Sequence, residues 1–209
     1  MSNLPRTSIK VLNTYFESKM KEKGSTFIGQ AFSVKDEESA ISKLNEIRKK
    51  FYDATHNCWA YRIYKDKFKY SDDGEPGGTA GIRIYNAIEH FDIQNILLVV
   101  TRYYGGVKLG VGPLGKAYYQ SAFDTLKDAK VEERIKYQKI KISYDYNFVK
   151  TLHKLLGDYE GIILTNSFDT TPYSECLVYP EIVEKLAENI KNLSSGKGNV
   201  EKLPYFQFK

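Results

Sequence analysis

Hydrophobic and polar positions alternate along two segments near the N-terminus, residues 7–16 and 26–34, and a period of two is typical of strands. Between residues 36 and 51 the apolar positions recur every three or four residues instead. This spacing predicts a helix with Asp36 as its N-cap. Three basic residues at 48–50 close the helix, where the negative end of the helix dipole favours them, so we interpret them as structural.

The same two periods predict the other elements of the first domain. An apolar, β-branched run at 95–101 is typical of a central strand, because both faces of such a strand are buried. Glycines interrupt the periodic pattern at 103–115 and predict an irregular loop there. The remaining predicted elements are strands at 58–64 and 68–71 and helices at 79–91 and 117–129.

A second pattern begins after a charged connector at residues 130–136. Its elements follow in the order strand, helix, strand, strand, helix, strand, which is the order of ferredoxin-like folds. We therefore predict an α+β protein of two domains, residues 1–133 and 137–209. The predicted elements are strands at 139–144, 161–168, 173–179 and 200–206, helices at 148–156 and 181–193, a helix stop at Gly157, and a Thr-Thr-Pro turn between the middle strands.

The net charge of +5 is unevenly distributed along the 209 residues. Residues 137–209 hold nine lysines and nine acidic residues, so the whole positive excess lies in the first 136 residues. A modest surplus of this kind suits an anionic partner, although nucleic-acid binders usually show a sharper cluster.

The chain shows no sign of export or membrane insertion. Its N-terminus lacks the apolar core of a signal peptide, and its longest apolar run, residues 96–100, is far too short to span a bilayer. Two cysteines far apart, Cys58 and Cys176, do not form a disulfide framework. We expect a cytoplasmic protein without a membrane partner.

Three stretches of the first domain are unusual for plain packing. They are ATHNCWAYR at residues 54–62, SDDGEPGGTAG at 71–81, and VVTRYYGGVKLGVG at 99–112. Together, and with KGSTFI at 23–28 before them, they resemble the signature of the IMPACT family in its bacterial YigZ-like branch. The resemblance covers the first domain almost end to end, and the second domain is similar to the ferredoxin-like tail of bacterial members.

This resemblance implies a fold for the first domain and a role in translation. It implies a βαβ first domain similar to a small-subunit ribosomal protein and to the fourth domain of elongation factor G. Eukaryotic members regulate translation through partner proteins, using an extra N-terminal domain, and no catalytic residues carry over to this chain. The sequence departs from the family pattern at Arg83, Pro113 and Lys116, where proline, glycine and arginine are usual.

The segment at 71–76 crowds three carboxylates, Asp72, Asp73 and Glu75, into four positions. Such a cluster can bind Mg²⁺ or perform acid–base chemistry, and it can equally be a solvated turn. His56 and Arg62 are candidate neighbours of this site. His56 and Cys58 could form a nucleophilic pair, but a small buried cysteine is the simpler interpretation. No set of residues has the spacing of a metal site, and we predict no cofactor.

The glycine-rich loop is the most informative candidate site. Residues 110–115 match G-x-G-x-x-G and nearly match a P-loop, but an eight-residue insertion follows the strand and Ala117 replaces the Mg²⁺-binding hydroxyl, so we reject both. The glycines let backbone N–H groups turn outward before a helix that starts near Pro113, as its N1 residue. These N–H groups still form a candidate anion site, and cationic side chains and tyrosine rings flank it. The predicted phosphate- or nucleic-acid-binding residues are Arg102, Tyr103, Tyr104, Gly105, Gly106, Lys108, Gly110, Gly112 and Lys116.

Two functions follow from these candidates. The first is a binding protein of the translation machinery that contacts RNA or the ribosome, with protein partners as a further option. The alternative is an Mg²⁺-dependent enzyme acting on a phosphorylated small molecule or nucleotide, which requires the carboxylates and the glycine loop to face one cleft.

Overall fold

A computed structural model describes residues 4–65, 67–168 and 171–209. The chain divides into two compact units. One is Lys10–Glu133, and the other joins the residues up to Ile9 with Arg134–Lys209. The sequence places the boundary at 133–137, and it does not indicate that the N-terminal segment belongs with the second unit.

The first unit is built on a five-stranded antiparallel sheet in the order β2-β3-β6-β4-β5. Its central strand is the apolar run that the sequence predicts at 95–101. The elements of this unit are β2 Phe16–Glu22, β3 Ser25–Ser33, α1 Glu37–Lys50, β4 His56–Ile63, β5 Lys67–Ser71, α2 Gly81–Phe91, β6 Ile96–Tyr103 and α3 Val111–Lys127.

Helices cover both faces of this sheet. The side chains of β6 alternate, so that Leu98 and Val100 join the core under α2 and α3, while Leu97 and Val99 join the core under α1. All four of these side chains are fully buried. Arg102 continues the first set and Tyr103 the second, and this alternation sends the two residues to opposite faces.

The first helix begins where the sequence predicts. The Asp36 side chain accepts a hydrogen bond from the Ser39 N–H, and the Ser39 side chain meets the Asp36 backbone in return, which makes a capping box. Two glutamates follow in the first turn and three basic residues close the last turn. This placement agrees with the helix dipole.

Two predictions for the first unit are wrong in detail. The predicted strand at 7–16 is shorter, β1 Ser8–Leu12, and the prediction misses β2 apart from its first residue. β2 forms a hairpin with β3 through a turn at Lys23 and Gly24. The helix predicted from 117 begins at Val111. Glycines lower the intrinsic preference for a helix here, but packing of the whole helix against the sheet overrides that preference.

The second unit has the ferredoxin-like order that the sequence predicts. Its strands pair antiparallel in the order β10-β7-β9-β8, and β1 also joins the sheet through β7. Leu152, Leu186 and Ile190 from the helices are fully buried beneath it. The elements are β7 Val131–Ser143, α4 Val149–Asp158, β8 Ile162–Ser167, β9 Tyr173–Val178, α5 Val183–Leu193 and β10 Asn199–Phe208, with short 3-10 helices at Tyr146–Phe148 and Pro180–Ile182.

Two local predictions for this unit need correction. The charged connector at 130–136 is mostly strand, because β7 starts at Val131 and hydrogen-bonds through this stretch. Gly157 does not stop α4, which runs on to Asp158, and Glu160 adopts the left-handed conformation instead. The predicted Thr-Thr-Pro turn includes residue 170, which lies outside the described residues.

The predicted α+β fold class is confirmed. Within the described ranges, no helix combines the length and the apolar character that crossing a membrane demands.

Gly29 lets α3 approach β3 closely, and this generates a stability prediction. A Cβ at this position would lie 1.9 Å from Thr125 Oγ1 and 3.1 Å from the Ser121 carbonyl oxygen. We expect Gly29→Ala to lower the free energy of unfolding by about 1–3 kcal/mol, because Thr125 must leave its rotamer or α3 must shift. Urea unfolding followed by the fluorescence of Trp59, the one tryptophan of the chain, measures this effect in the first unit.

Gly112→Ala is the matched control. A Cβ at Gly112 would meet no atom within 4 Å, and the position is helical, so the change should be neutral or stabilising by up to about 1 kcal/mol. Equal losses in the two variants would contradict close packing as the cause.

Candidate functional site

Residues from four segments of the first unit meet around a cleft at the end of β6. We call it the Arg102 cleft, and its volume is about 450 Å³. Cavities of this size hold small ligands in other proteins. The cleft is lined by Thr55, His56, Glu75, Pro76, Arg102, Tyr104, Lys108, Leu109, Gly110, Val111 and Leu114.

A buried ion pair forms the floor of the cleft. Arg102 Nη1 donates to Glu75 Oε1 at 2.6 Å, and the side chains are 7% and 4% exposed. The Tyr118 hydroxyl, which α3 supplies, donates to the same carboxylate oxygen at 2.7 Å. Burial raises the pKa of Tyr118 far above its ordinary value, so its proton remains available for this bond. Two donors thus compensate the buried Glu75 charge.

The Arg102 guanidinium retains unused hydrogen-bonding capacity. It lies 5.5 Å from the ring centres of both Phe27 and Tyr104, and Nη2 is 3.4 Å from Ser25 Oγ. Nε is buried and finds no acceptor anywhere in the described part of the chain. A buried donor without a partner is costly, and it often marks a place where a ligand or an ordered water binds.

His56 stands at the rim of the cleft with a defined tautomer. Its Nδ1 is 2.7 Å from the Asp73 carbonyl oxygen, which can only accept, so Nδ1 carries the proton. In the neutral ring Nε2 is then an acceptor, 3.8 Å from Glu75 Oε2. His56 therefore turns Nε2 toward the Glu75 carboxylate at the floor of the cleft.

The other two carboxylates of the acidic segment point away from the cleft. Asp72 accepts from the backbone N–H groups of Gly78, Ala80 and Gly81 at 2.8–2.9 Å and so caps α2. Asp73 accepts from the Asn57 N–H at 2.7 Å and from Arg48 at 2.9 Å. In the described part of the chain, no three or more His, Cys, Asp or Glu side chains are grouped to hold a metal ion.

Close backbone approach fixes the glycine loop. A Cβ on Gly105 would lie 1.9 Å from the Gly24 carbonyl carbon, so the loop can cross the β2–β3 turn only with glycine at this position. The Gly105 N–H donates to Ser25 Oγ at 3.2 Å, and the Tyr104 N–H donates to Thr55 Oγ1 at 2.9 Å. These contacts place Tyr104 beside Arg102.

The start of α3 forms the opposite wall. Gly110, with φ of 86°, is its N-cap and supplies no side chain to the first-turn N–H groups. The positive end of the helix dipole therefore faces the cleft, and the first turn of α3 holds no acidic residue. Pro113 is the third helical residue rather than the first as predicted, and it is tolerated there because first-turn N–H groups have no intrahelical acceptor.

The structure brings six of the sequence-predicted residues together in this cleft, and the others, including Gly105 and Gly106 of the same loop, do not line it. Those in the cleft are His56, Glu75, Arg102, Tyr104, Lys108 and Gly110.

Tyr103 and Arg62 lie away from the cleft. Tyr103 is on the opposite face of the sheet, where its hydroxyl donates to Asp53 at 2.8 Å. Arg62 is at the far end of β4, about 20 Å from His56 at roughly 3.3 Å per residue, and pairs with Asp92. Gly112 and Lys116 line a second depression between α2 and α3.

Sequence reasoning missed several lining residues because they carry no chemical signal. Leu109 and Leu114 are ordinary apolar residues, and Thr55 precedes the strand. Tyr118 lies in a predicted helix, and only the fold shows that its hydroxyl reaches Glu75.

Cys58 is a buried structural residue. Its Sγ lies 3.0 Å from the Asp72 carbonyl oxygen and 3.3 Å from the Tyr118 hydroxyl. Burial raises the pKa of its thiol well above the ordinary value, and burial likewise raises the pKa of Cys176 to about 12. Cys58 contacts Asp72 and Tyr118, and His56 Nδ1 contacts Asp73. The two residues therefore do not form the nucleophilic pair that the sequence analysis considered.

Comparison with known proteins identifies the family. Residues 23–126 match the Impact N-terminal domain. The IMPACT family member YvyE of Bacillus subtilis is 30% identical over 201 residues, which cover 91% of this chain and 92% of that protein. The chain belongs to the IMPACT family.

Two further likenesses extend this result. The IMPACT family member YigZ of Escherichia coli is 30% identical over 150 residues, covering 70% of this chain and 74% of that protein. A crystal structure of an hypothetical protein superimposes with a TM-score of 0.69 at 24% identity, covering 96% of this chain and 98% of that one. This last likeness concerns the fold alone.

The departures from the IMPACT pattern do not alter the cleft. Among Arg83, Pro113 and Lys116, none lines it. Arg83 Nε instead donates to the Gly78 carbonyl oxygen at 3.3 Å, beside the second depression.

The buried ion pair between Arg102 and Glu75 predicts that replacing Arg102 strongly destabilises the fold. We expect Arg102→Ala to lower the free energy of unfolding by about 3–5 kcal/mol, because it leaves the Glu75 carboxylate buried with only the Tyr118 hydroxyl as donor. Arg102→Met combined with Glu75→Gln should recover most of this loss, since the buried charge is gone. Urea unfolding followed by Trp59 fluorescence measures both.

Lys43→Ala provides the control for removing a cation. Its pair with Glu46 is exposed, and its loss should cost at most about 1 kcal/mol. A loss of that size for Arg102→Ala would show that the buried pair is not a structural requirement.

Both cysteines should be inert in the folded protein. A raised pKa keeps a thiol protonated at pH 8, and both side chains are buried. We expect almost no thiol of the native protein to react with a disulfide reagent at pH 8. About two thiols per chain should react after unfolding in guanidinium. Rapid reaction of one native thiol, assigned with Cys58→Ser and Cys176→Ser, would contradict this assignment.

Proposed function

We propose that this protein binds RNA through the Arg102 cleft and acts in the cytoplasm as a regulator of translation, in contact with the ribosome or its RNA. The observation that carries the proposal is the Arg102 guanidinium. It is buried and fixed, its Nε is unpartnered, and it stands beside the exposed ring of Tyr104 and the open N-terminus of α3.

These groups match the chemistry of a nucleotide. The Arg102 donors that Glu75 does not hold and the N-terminus of a helix both favour phosphate, and a tyrosine ring offers a stacking face to any base. Lys108 is exposed at the rim, and no ion pair to it forms among the described residues. It is therefore available as a further phosphate contact.

Family membership points in the same direction. The resemblance of the first domain to ribosomal-protein and elongation-factor domains, and the role of eukaryotic members in translation, support a site near the ribosome. Fold alone does not fix function, so this support is by analogy.

The geometry favours binding over Mg²⁺-dependent catalysis. The enzyme alternative needs the acidic segment to turn its carboxylates into the cleft beside the glycine loop. Of the three, Glu75 alone lines it, and Arg102 and Tyr118 already hold that carboxylate.

Co-sedimentation with ribosomes across a salt series tests the proposal. We expect binding of the protein to weaken steeply as salt rises. Tyr104→Ala combined with Lys108→Ala should weaken it at least about tenfold and lower the salt slope by about 0.7, as expected for one lost single-strand phosphate contact. Arg102 is left intact, because its removal endangers the fold.

Tyr15→Ala combined with Lys127→Ala is the matched control. Tyr15 is 48% exposed and Tyr104 45%, and Lys127 lies at the far end of α3. The control should bind like the unaltered protein. Absence of ribosome binding at low salt, or equal weakening by both double variants, would overturn the proposal. Salt-insensitive binding that survives Tyr104→Ala with Lys108→Ala would instead indicate a protein partner.

A further inference from the structure

A second depression, which we call the α2–α3 groove, opens beside the Arg102 cleft. Its volume is about 790 Å³. Arg83 from α2 and Lys116 from α3 both line it, and among its described lining residues none is acidic. A wide groove with two cations suits a polyanion better than a neutral ligand.

The groove and the cleft are adjacent. Val111 lines both of them, with Gly110 on the cleft side and Gly112 on the groove side. Gly112 and Gly77 have no neighbouring atom within 4 Å of where a Cβ would be, so the backbone is open there. A flexible chain held in the cleft can therefore pass over the first turn of α3 into the groove.

The shape of the cleft selects against a duplex. Pro76, Leu109 and Leu114 line it together with Arg102, whose side chain is only 7% exposed, so a nucleotide must enter the cleft to reach the cation. A base paired within a helix cannot do this without leaving the stack, whereas an unpaired base can.

We propose that the cleft and the groove together form a track for single-stranded RNA. One unpaired nucleotide occupies the Arg102 cleft, with its base against Tyr104 and its phosphate near the N-terminus of α3, and the following phosphates lie on Arg83 and Lys116. This proposal rests on the RNA-binding function proposed above and specifies its ligand.

The track has a defined end. Beyond Lys116 lies a smaller hollow that Glu22 lines, and a carboxylate there repels phosphate. From Val111 to Gln120, the last α3 residue along the groove, the helix rises about 14 Å at 1.5 Å per residue. At about 3.4 Å of strand per nucleotide, this length accommodates about four nucleotides, at the short end of known single-strand sites.

Fluorescence anisotropy with labelled oligouridines of two, four and eight nucleotides tests the length of the track. We expect affinity to rise from two to four nucleotides and then to level off. An eight-base-pair RNA duplex should bind at least about tenfold more weakly than the eight-nucleotide strand at equal salt. A duplex that binds as tightly as the single strand would overturn the proposal.

Variants in the groove test the path. Arg83→Ala and Lys116→Ala should each weaken binding of the eight-nucleotide strand by about three- to tenfold, and should leave the dinucleotide, which fits the cleft alone, unchanged. Lys127→Ala removes the same charge from the far end of α3 and should change neither. Thermal unfolding of each variant checks that the fold is retained.

The outcomes separate this inference from the proposed function. If Tyr104→Ala with Lys108→Ala weakens RNA and ribosome binding while Arg83→Ala and Lys116→Ala behave like Lys127→Ala, the track is wrong and the cleft stands. If neither ribosomes nor any RNA bind at low salt, both proposals fall.

Discussion

The buried ion pair between Arg102 and Glu75 joins parts of the chain that are distant in sequence. Arg102 ends the central strand, Glu75 belongs to the turn before α2, and Tyr118 reaches the pair from α3. An unpaired charge in this position would be too costly, so the strand end, the turn and the helix must hold their relative positions. An apolar pair of similar size could stabilise the fold equally well. The particular contribution of the ion pair is a fixed cation at the floor of a cleft.

The acidic segment acts as a structural support for this cation. Asp72 caps α2, Asp73 ties the turn to α1 and to the start of β4, and Glu75 faces Arg102. Each carboxylate is directed to different donors, which explains how three acidic residues coexist in four positions without strong mutual repulsion. The same contacts set the position of α2 and hence of one wall of the α2–α3 groove.

The N-terminus of α3 relates the cleft to the groove. Gly110 leaves the helix end open, and Val111 lines both depressions. Residues of the IMPACT motifs build the cleft, whereas Arg83 and Lys116, two positions where this chain departs from the family pattern, line the groove.

The sequence by itself determined the family, the α+β class and most elements with strong periodicity. The buried strand at 95–101, the capping box at Asp36 and the ferredoxin-like order of the second unit depend on local patterns, and local patterns can be read without the fold. Only the tertiary structure decided where side chains of distant segments meet. It sent Tyr103 and Tyr104 to different surroundings, turned Asp72 and Asp73 toward backbone donors, and began α3 at Val111 despite its glycines. The physical reason is that packing and burial of charge act between residues far apart in sequence, where neither period nor spacing carries a signal.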